Sequence, residues 1–222
     1  FSSNARYGEN KTPYTEELLT NPQDCYGIAK VSAEQMLNNL GTLHGFSVVN
    51  LVPYNCFSGK YNRYTDPFRS VLAIWINVLL QNKTPVIYGD GKQQRAISWM
   101  SDISLIISNF IDCDFKHGEV FNLGTGSKPL SINQLYNLVL DVLKKDVPPK
   151  YITARPNEVK NAFPDCSKIK KKFNVGDGKL LRDGIKELAD WIKKHKPKPF
   201  QYHLPVEIQN DVVPKTWKNK LF

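Results

Sequence analysis

Long apolar runs are missing from this sequence. The best candidate, Val71–Leu80, is ten residues long, about half of the ~20 that a bilayer-spanning helix needs, so no membrane partner is expected. Cysteine is scarce. Cys25, Cys56, Cys113 and Cys166 form no C-x-x-C pair and no paired histidines accompany them, which argues against a metal site and against a disulfide framework. Reduced thiols suit a cytoplasmic protein. Internal repeats and low-complexity segments are also lacking. Acidic residues are outnumbered, 21 to 30, leaving a net charge of +9. Much of the excess lies in Lys168–Lys172 and between Lys193 and Lys220, without the aromatic-studded basic strand of a nucleic-acid reader. The first run reads as a solvated helix face, and an anionic small-molecule substrate suits the surplus as well as a nucleic acid would.

What is present is ordinary for a soluble globular chain: 41% hydrophobic and 23% charged residues over a length that permits one or two domains. Phe1–Arg6 reads as the end of a strand, followed by a loop. A helix is predicted from Tyr26 to Leu43, with Ile28, Val31, Met36, Leu37 and Leu40 as its apolar stripe. Phe46–Tyr54 has the continuous apolar character of a strand buried on both faces. Further helices are predicted over 71–81, 102–111 (capped by Ser101 or Asp102), 132–144, 164–172 and 182–194. Strands are predicted over 85–88, 95–99, 120–123 and 150–153. Such alternation marks the α/β class. Gly124-Thr125-Gly126 resembles a phosphate loop, but Ser131-Ile132-Asn133-Gln134 is a capping box that starts the next helix by ordinary means. From Pro197 onward the chain is basic and proline-punctuated. Phe200, Tyr202, Leu204 and Trp217 make it too apolar for a free linker, so it is expected to pack on the body or on a neighbour.

One constellation carries chemistry. Tyr26-Gly27-Ile28-Ala29-Lys30 sets a phenol and an ammonium one turn apart on the same helical face. The positive charge favours the phenolate. A hydroxyl from another segment, Ser3, can share the substrate's proton. Together the three suit the removal of a proton from an alcohol while a hydride leaves the same carbon.

The surroundings extend this pattern. Phe1-Ser2-Ser3-Asn4-Ala5-Arg6-Tyr7-Gly8, Asn21-Pro22-Gln23-Asp24-Cys25-Tyr26, Tyr88-Gly89-Asp90-Gly91-Lys92-Gln93-Gln94-Arg95, Phe121-Asn122-Leu123-Gly124-Thr125-Gly126 and Arg155-Pro156-Asn157-Glu158-Val159 stand in that order. With them the chain resembles the extended short-chain dehydrogenase/reductase family, within it the NAD-dependent nucleotide-sugar epimerases of the UDP-glucose 4-epimerase type. The resemblance implies a Rossmann-like doubly wound parallel sheet plus a smaller α/β substrate-binding domain. It further implies NAD as cofactor, a UDP-sugar substrate and a homodimeric intact protein. Catalytic roles fall to Ser3, Tyr26 and Lys30, with Tyr26, Lys30 and Pro53 at the cofactor. Substrate contacts fall to Asn55, Arg95, Arg155 and Glu158. No glycine-rich G-x-x-G-x-x-G loop precedes Ser3 and the chain opens on Phe1. By resemblance about a hundred residues of the dinucleotide fold are therefore expected upstream, and the 222-residue chain alone is expected to be inactive.

On this basis residues 1–54 and about 100–126 are assigned to the NAD-binding part. Residues 55–99 and 127–196 are assigned to nucleotide-sugar binding, and 197–222 to a basic tail. A sister dehydratase or decarboxylase would need an additional acid near Ser3, and Asn4-Ala5-Arg6 offers none. An inactive substrate-binding fragment is the remaining alternative. Val52 in place of a common Arg, Ser58 in place of Gly, Lys60 in place of Arg, Cys25 before the tyrosine, and one extra residue between Asn62 and Asp66 leave the sugar unspecified.

Overall fold

The computed structural model describes all residues except 61, 62, 127, 156, 157, 177, 179 and 209. Asn62, which borders the stretch with the expected extra residue, and the Pro156-Asn157 portion of the last motif lie outside the described residues. The elements are α1 (Cys25–His44), β1 (Val49–Pro53), β2 (Cys56–Phe57), α2 (Val71–Leu80), β3 (Val86–Tyr88), β4 (Gln94–Arg95), β5 (Ser98–Trp99) and α3 (Met100–Ser108). There follow β6 (Glu119–Leu123), β7 (Leu130–Ser131), α4 (Ile132–Leu143), β8 (Lys150–Ile152), β9 (Asn161–Ala162), α5 (Ser167–Phe173), α6 (Leu181–His195) and α7 (Lys215–Lys218). Asn4–Arg6 is a short 3₁₀ helix rather than the end of a strand, because Ser3 caps it.

The chain forms two compact units. The first comprises Phe1–Cys56, Gln94–Pro129 and Val159–Lys179; the second comprises Phe57–Gln93, Leu130–Glu158 and Leu180–Phe222. Residues 94–99 and 159–179 thus group with the first unit, where the motif order alone had set them in the second.

In the first unit β1 and β6 pair in parallel, from Val49↔Glu119 to Pro53↔Leu123. The Ser2 N–H donates to the Leu51 carbonyl at 2.8 Å, so the first residues run beside β1. Side chains alternate along β1. Leu51 joins Ile103, Ile106, Phe110, Phe121, Leu123, Cys166 and Ile169 in one cluster. Val52 joins Tyr7, Tyr14, Tyr54 and Ala162 in another. Burial on both faces is what a parallel strand requires. Asn122, fully buried on β6, ties this region together. Its Oδ1 accepts from the Tyr7 and Tyr54 hydroxyls at 2.9 and 3.2 Å, and its Nδ2 donates to the Tyr14 and Asp165 carbonyls at 2.9 and 3.2 Å. Its backbone N–H donates to Glu16 at 2.8 Å.

Helix α1 begins on the Asp24 side chain, which accepts from the Gly27 N–H at 2.6 Å, and ends on left-handed Gly45. Its inward face differs from the expected one. Ile28, Met36, Leu37 and Leu40 are exposed, whereas Gly27, Glu34 and Gly41 are buried. Those three, seven residues apart, lie on one face. Glu34 receives a two-pronged ion pair from Arg6, Nε to Oε1 and Nη2 to Oε2, both 3.0 Å, and also accepts from the Ser2 hydroxyl.

In the second unit β3 and β8 pair in parallel, with Tyr88 opposite Ile152. Helix α2 is buried from Leu72 to Leu79. Its Trp75 donates to the Val86 carbonyl at 3.1 Å and meets Tyr136 of α4 edge to face. The capping box expected at Ser131 and Gln134 is formed at the start of α4. Helix α3, by contrast, starts at Met100 with no side-chain cap, earlier than Asp102. The expected single strand over 95–99 is divided between β4 and β5. The tail packs on its own unit. Asn77 exchanges hydrogen bonds with the Lys198 backbone, at 2.9 and 3.1 Å, and Phe68 meets Tyr202, His203 and Trp217.

Candidate active site

Ser3 is buried, with its Oγ accepting from the Ala5 N–H at 3.2 Å and donating to Asn4 Oδ1 at 3.3 Å. Two contacts bring α1 to it. A side chain at Gly27 would meet the Ala5 carbonyl oxygen at 2.9 Å and Pro22 at 2.9 Å, so only glycine allows this approach. One turn along, Lys30 Nζ donates to the Phe1 carbonyl at 3.1 Å and lies 5.8 Å from the Tyr26 ring centroid. Gly27 and Lys30 therefore hold the first turns of α1 against the segment that carries Ser3, with Tyr26 next to Gly27 in the chain.

Tyr26 is 56% exposed, open to a ligand. The neighbouring phenols are not suited to proton removal. Burial pushes Tyr7 up to about 12 and raises Tyr14 and Tyr54 above the ordinary phenol range, which keeps them as neutral hydrogen-bond donors. The thiols are likewise held protonated, Cys56 at about 11 and Cys166 at about 12, both by burial. No group of three potential metal ligands occurs among the described residues.

Pro53 ends β1. Two residues on, Asn55 takes a left-handed backbone (φ 35°), a conformation asparagine tolerates, and its Nδ2 donates to the Ala96 carbonyl at 2.8 Å. Arg95, adjacent to Ala96, spreads its guanidinium over three carbonyls: Gln94 at 2.8 Å, Lys160 at 3.0 Å and Val159 at 2.8 Å. Asn55 and Arg95 are thus brought together. These residues, with Ser3, Tyr26 and Lys30, belong to the first unit, and Arg155 and Glu158 to the second. Arg155 is exposed and stacks on Tyr88, its guanidinium carbon 4.4 Å from the ring centroid. Glu158 is half-buried.

The residue reading did not single out Gly27, Glu34 or Tyr88. A signal existed for Glu34, which follows Lys30 by four residues and therefore shares its helical face.

The parallel α/β fold thus sets the segment with Ser3 beside β1 and packs the start of α1, which carries Tyr26 and Lys30, against it. Comparison with known proteins gives the family. The model of the NAD dependent epimerase/dehydratase family matches residues 1–124, and the chain belongs to that family. A provisionally named UDP-glucose 4-epimerase of Methanocaldococcus jannaschii is 30% identical over 199 residues, 87% of this chain and 62% of its own length. The UDP-N-acetylglucosamine 4-epimerase of Methanobrevibacter ruminantium, solved with UDP-N-acetylmuramic acid, superposes with a TM-score of 0.81 at 29% identity. That match covers 88% of this chain and 62% of the other. The Thermotoga maritima UDP-glucose 4-epimerase, solved with UDP-glucose, gives 0.77 at 29% identity, covering 87% and 62%. The chain thus spans about three-fifths of the length of these relatives.

Proposed function

We propose that the full-length protein epimerises a nucleotide sugar, at C4 of a UDP-hexose, through a transient 4-keto sugar. The packing of the start of α1, through Gly27 and Lys30, against the segment that carries Ser3 supports this reading. Tyr26 takes the proton of the 4-hydroxyl and later returns it. Ser3, with a hydroxyl already oriented by the Ala5 N–H, hydrogen-bonds the reacting oxygen and steadies it for the transfer. Lys30 supplies positive charge beside the phenol. The described residues fit NAD: the Phe1 carbonyl engages one of the three ammonium donors of Lys30, which leaves donors for ribose hydroxyls, and Tyr26 is open. Tyr26, Lys30 and Pro53 are assigned to the cofactor, which when bound supplies the hydride acceptor and donor. Asn55 is assigned to the diphosphate and Glu158 to ribose hydroxyls. Arg95 and Arg155 are assigned to the nucleotide, where a planar fork suits phosphate oxygens.

Tyr26→Phe tests the reading. In the full-length protein it should lower turnover by about a hundredfold or more while UDP-sugar affinity stays within a few-fold, because the hydroxyl is one of several ground-state contacts. Near-normal turnover would remove Tyr26 from the base role.

A further inference from the structure

Tyr88 ends β3, and Gly89 turns the chain with a left-handed backbone (φ 64°) while its N–H donates to the Ile152 carbonyl at 2.8 Å. This holds residues 152–155 against Tyr88 and Gly89. Ala154 lies so close that a side chain at Gly89 would touch it at 3.4 Å. Arg155 then lies over the Tyr88 ring at 4.4 Å, within the range where a cation gains from the ring's negative face. The ring is itself held from its far end. Its hydroxyl donates to Thr216 Oγ1 at 2.8 Å and accepts from the Thr216 N–H at 2.8 Å. Thr216 is almost fully buried on α7, a helix of the tail. The next residue back, Lys215, donates to Thr153 Oγ1 at 2.9 Å, on the strand extension that leads to Arg155. The tail therefore touches both the support and the approach of this arginine.

We propose that Tyr88 and Thr216 are positioning residues for Arg155. The C-terminal tail thereby belongs to the nucleotide-recognition apparatus and is not a surface extension. The proposal rests on the assignment of Arg155 to the nucleotide. An exposed arginine left to itself samples many rotamers, and a ligand must freeze them. A guanidinium already laid on a fixed ring loses less freedom on meeting phosphate, which raises affinity without a new contact. Two bonds from the tail fix the ring, so a change at Thr216 reaches the ligand through Tyr88.

The test is calorimetric titration of UDP into the full-length protein and into Arg155→Ala, Tyr88→Leu, Tyr88→Phe, Thr216→Val and the double variant Tyr88→Leu/Arg155→Ala. Tyr88→Leu should weaken UDP about tenfold, the order of one lost cation–π support. Tyr88→Phe and Thr216→Val, which keep the ring and loosen it, should cost about two- to fivefold. The double variant should match Arg155→Ala, since without the guanidinium the ring has nothing to orient. Additive losses in the double variant, or parent affinity in Tyr88→Leu while Arg155→Ala binds poorly, would overturn the positioning role alone. Parent affinity in Arg155→Ala would overturn the nucleotide assignment, and this proposal with it. Should thermal melting show that Tyr88→Leu does not fold, the same cycle run with Thr216→Val decides the matter.

Discussion

The first unit holds α1 and the Ser3 segment together with buried polar contacts, and the second holds Arg155 from one side with an aromatic face. Arg6, Glu34 and Ser2 form a buried polar knot beneath α1, with Arg6 and Glu34 both under a tenth exposed. Arg155 has open solvent around it and a ring on one side. The knot is intolerant, because removing one partner strands a charge in the interior. The stack is forgiving, because a loosened arginine is still solvated. One device fixes its groups rigidly, and the other orients a solvated group without locking it.

The comparison breaks first at Glu34. Glu34→Ala should destabilise the protein by about 3–5 kcal/mol, the cost of leaving a buried guanidinium unpaired, read as a drop in the denaturant midpoint. A loss under about 1 kcal/mol would mean that water reaches Arg6 once Glu34 is gone.

The two arginines sharpen it. Arg95→Ala and Arg155→Ala should each weaken UDP binding by about 1.5–3 kcal/mol, the scale of a lost charge-assisted bond. They should differ in melting temperature. Arg95 also satisfies the carbonyls of Gln94, Val159 and Lys160, so its loss should lower stability as well, whereas Arg155→Ala should melt like the parent. Equal melting temperatures would show that the Arg95 carbonyls find other donors.

The smallest effect is expected at Glu119, in the first unit. Burial raises its carboxyl, but the Lys116 N–H and the Lys168 ammonium, 3.1 Å away, outweigh burial and hold it below the ordinary range. A lowered carboxyl contributes stability above the unfolded-state value, about 4.3, and loses it as pH falls through the folded value. Glu119→Gln should therefore be less stable than the parent at pH 7 by under about 1 kcal/mol, with the gap closing in urea titrations as pH falls through the lowered folded value. A gap that persists in acid would assign the effect to packing.

Local signals predicted much of this fold. The Ser131 box starts its helix where the residue pattern puts it, since capping is settled within four residues. The orientation of α1 was not legible. Its apolar residues suggested the inner face, but the knot that fixes the face joins Arg6 to Glu34, 28 positions apart, and no periodicity reports such a pairing. Likewise Tyr26, Lys30 and Ser3 were readable as motif residues. The role of Tyr88 depended on Thr216, 128 positions away in a tail with no motif. The motif asparagine Asn122 was legible as a motif and not as a function; the structure makes it the hub of five hydrogen bonds.

Gly27 follows Tyr26 and meets the Ala5 carbonyl of the serine segment with no side chain of its own. The spacing between α1 and that segment is therefore gauged by an atom that is absent. A methyl group there would act as a shim, lifting the first turn of α1 and Tyr26 with it. Because misplacement by about an ångström can cost a hundredfold in rate, the thickness of this seam bears on turnover well before it bears on folding. If Tyr26 has the role proposed for it, catalytic tolerance is set by how thin one helix start can be.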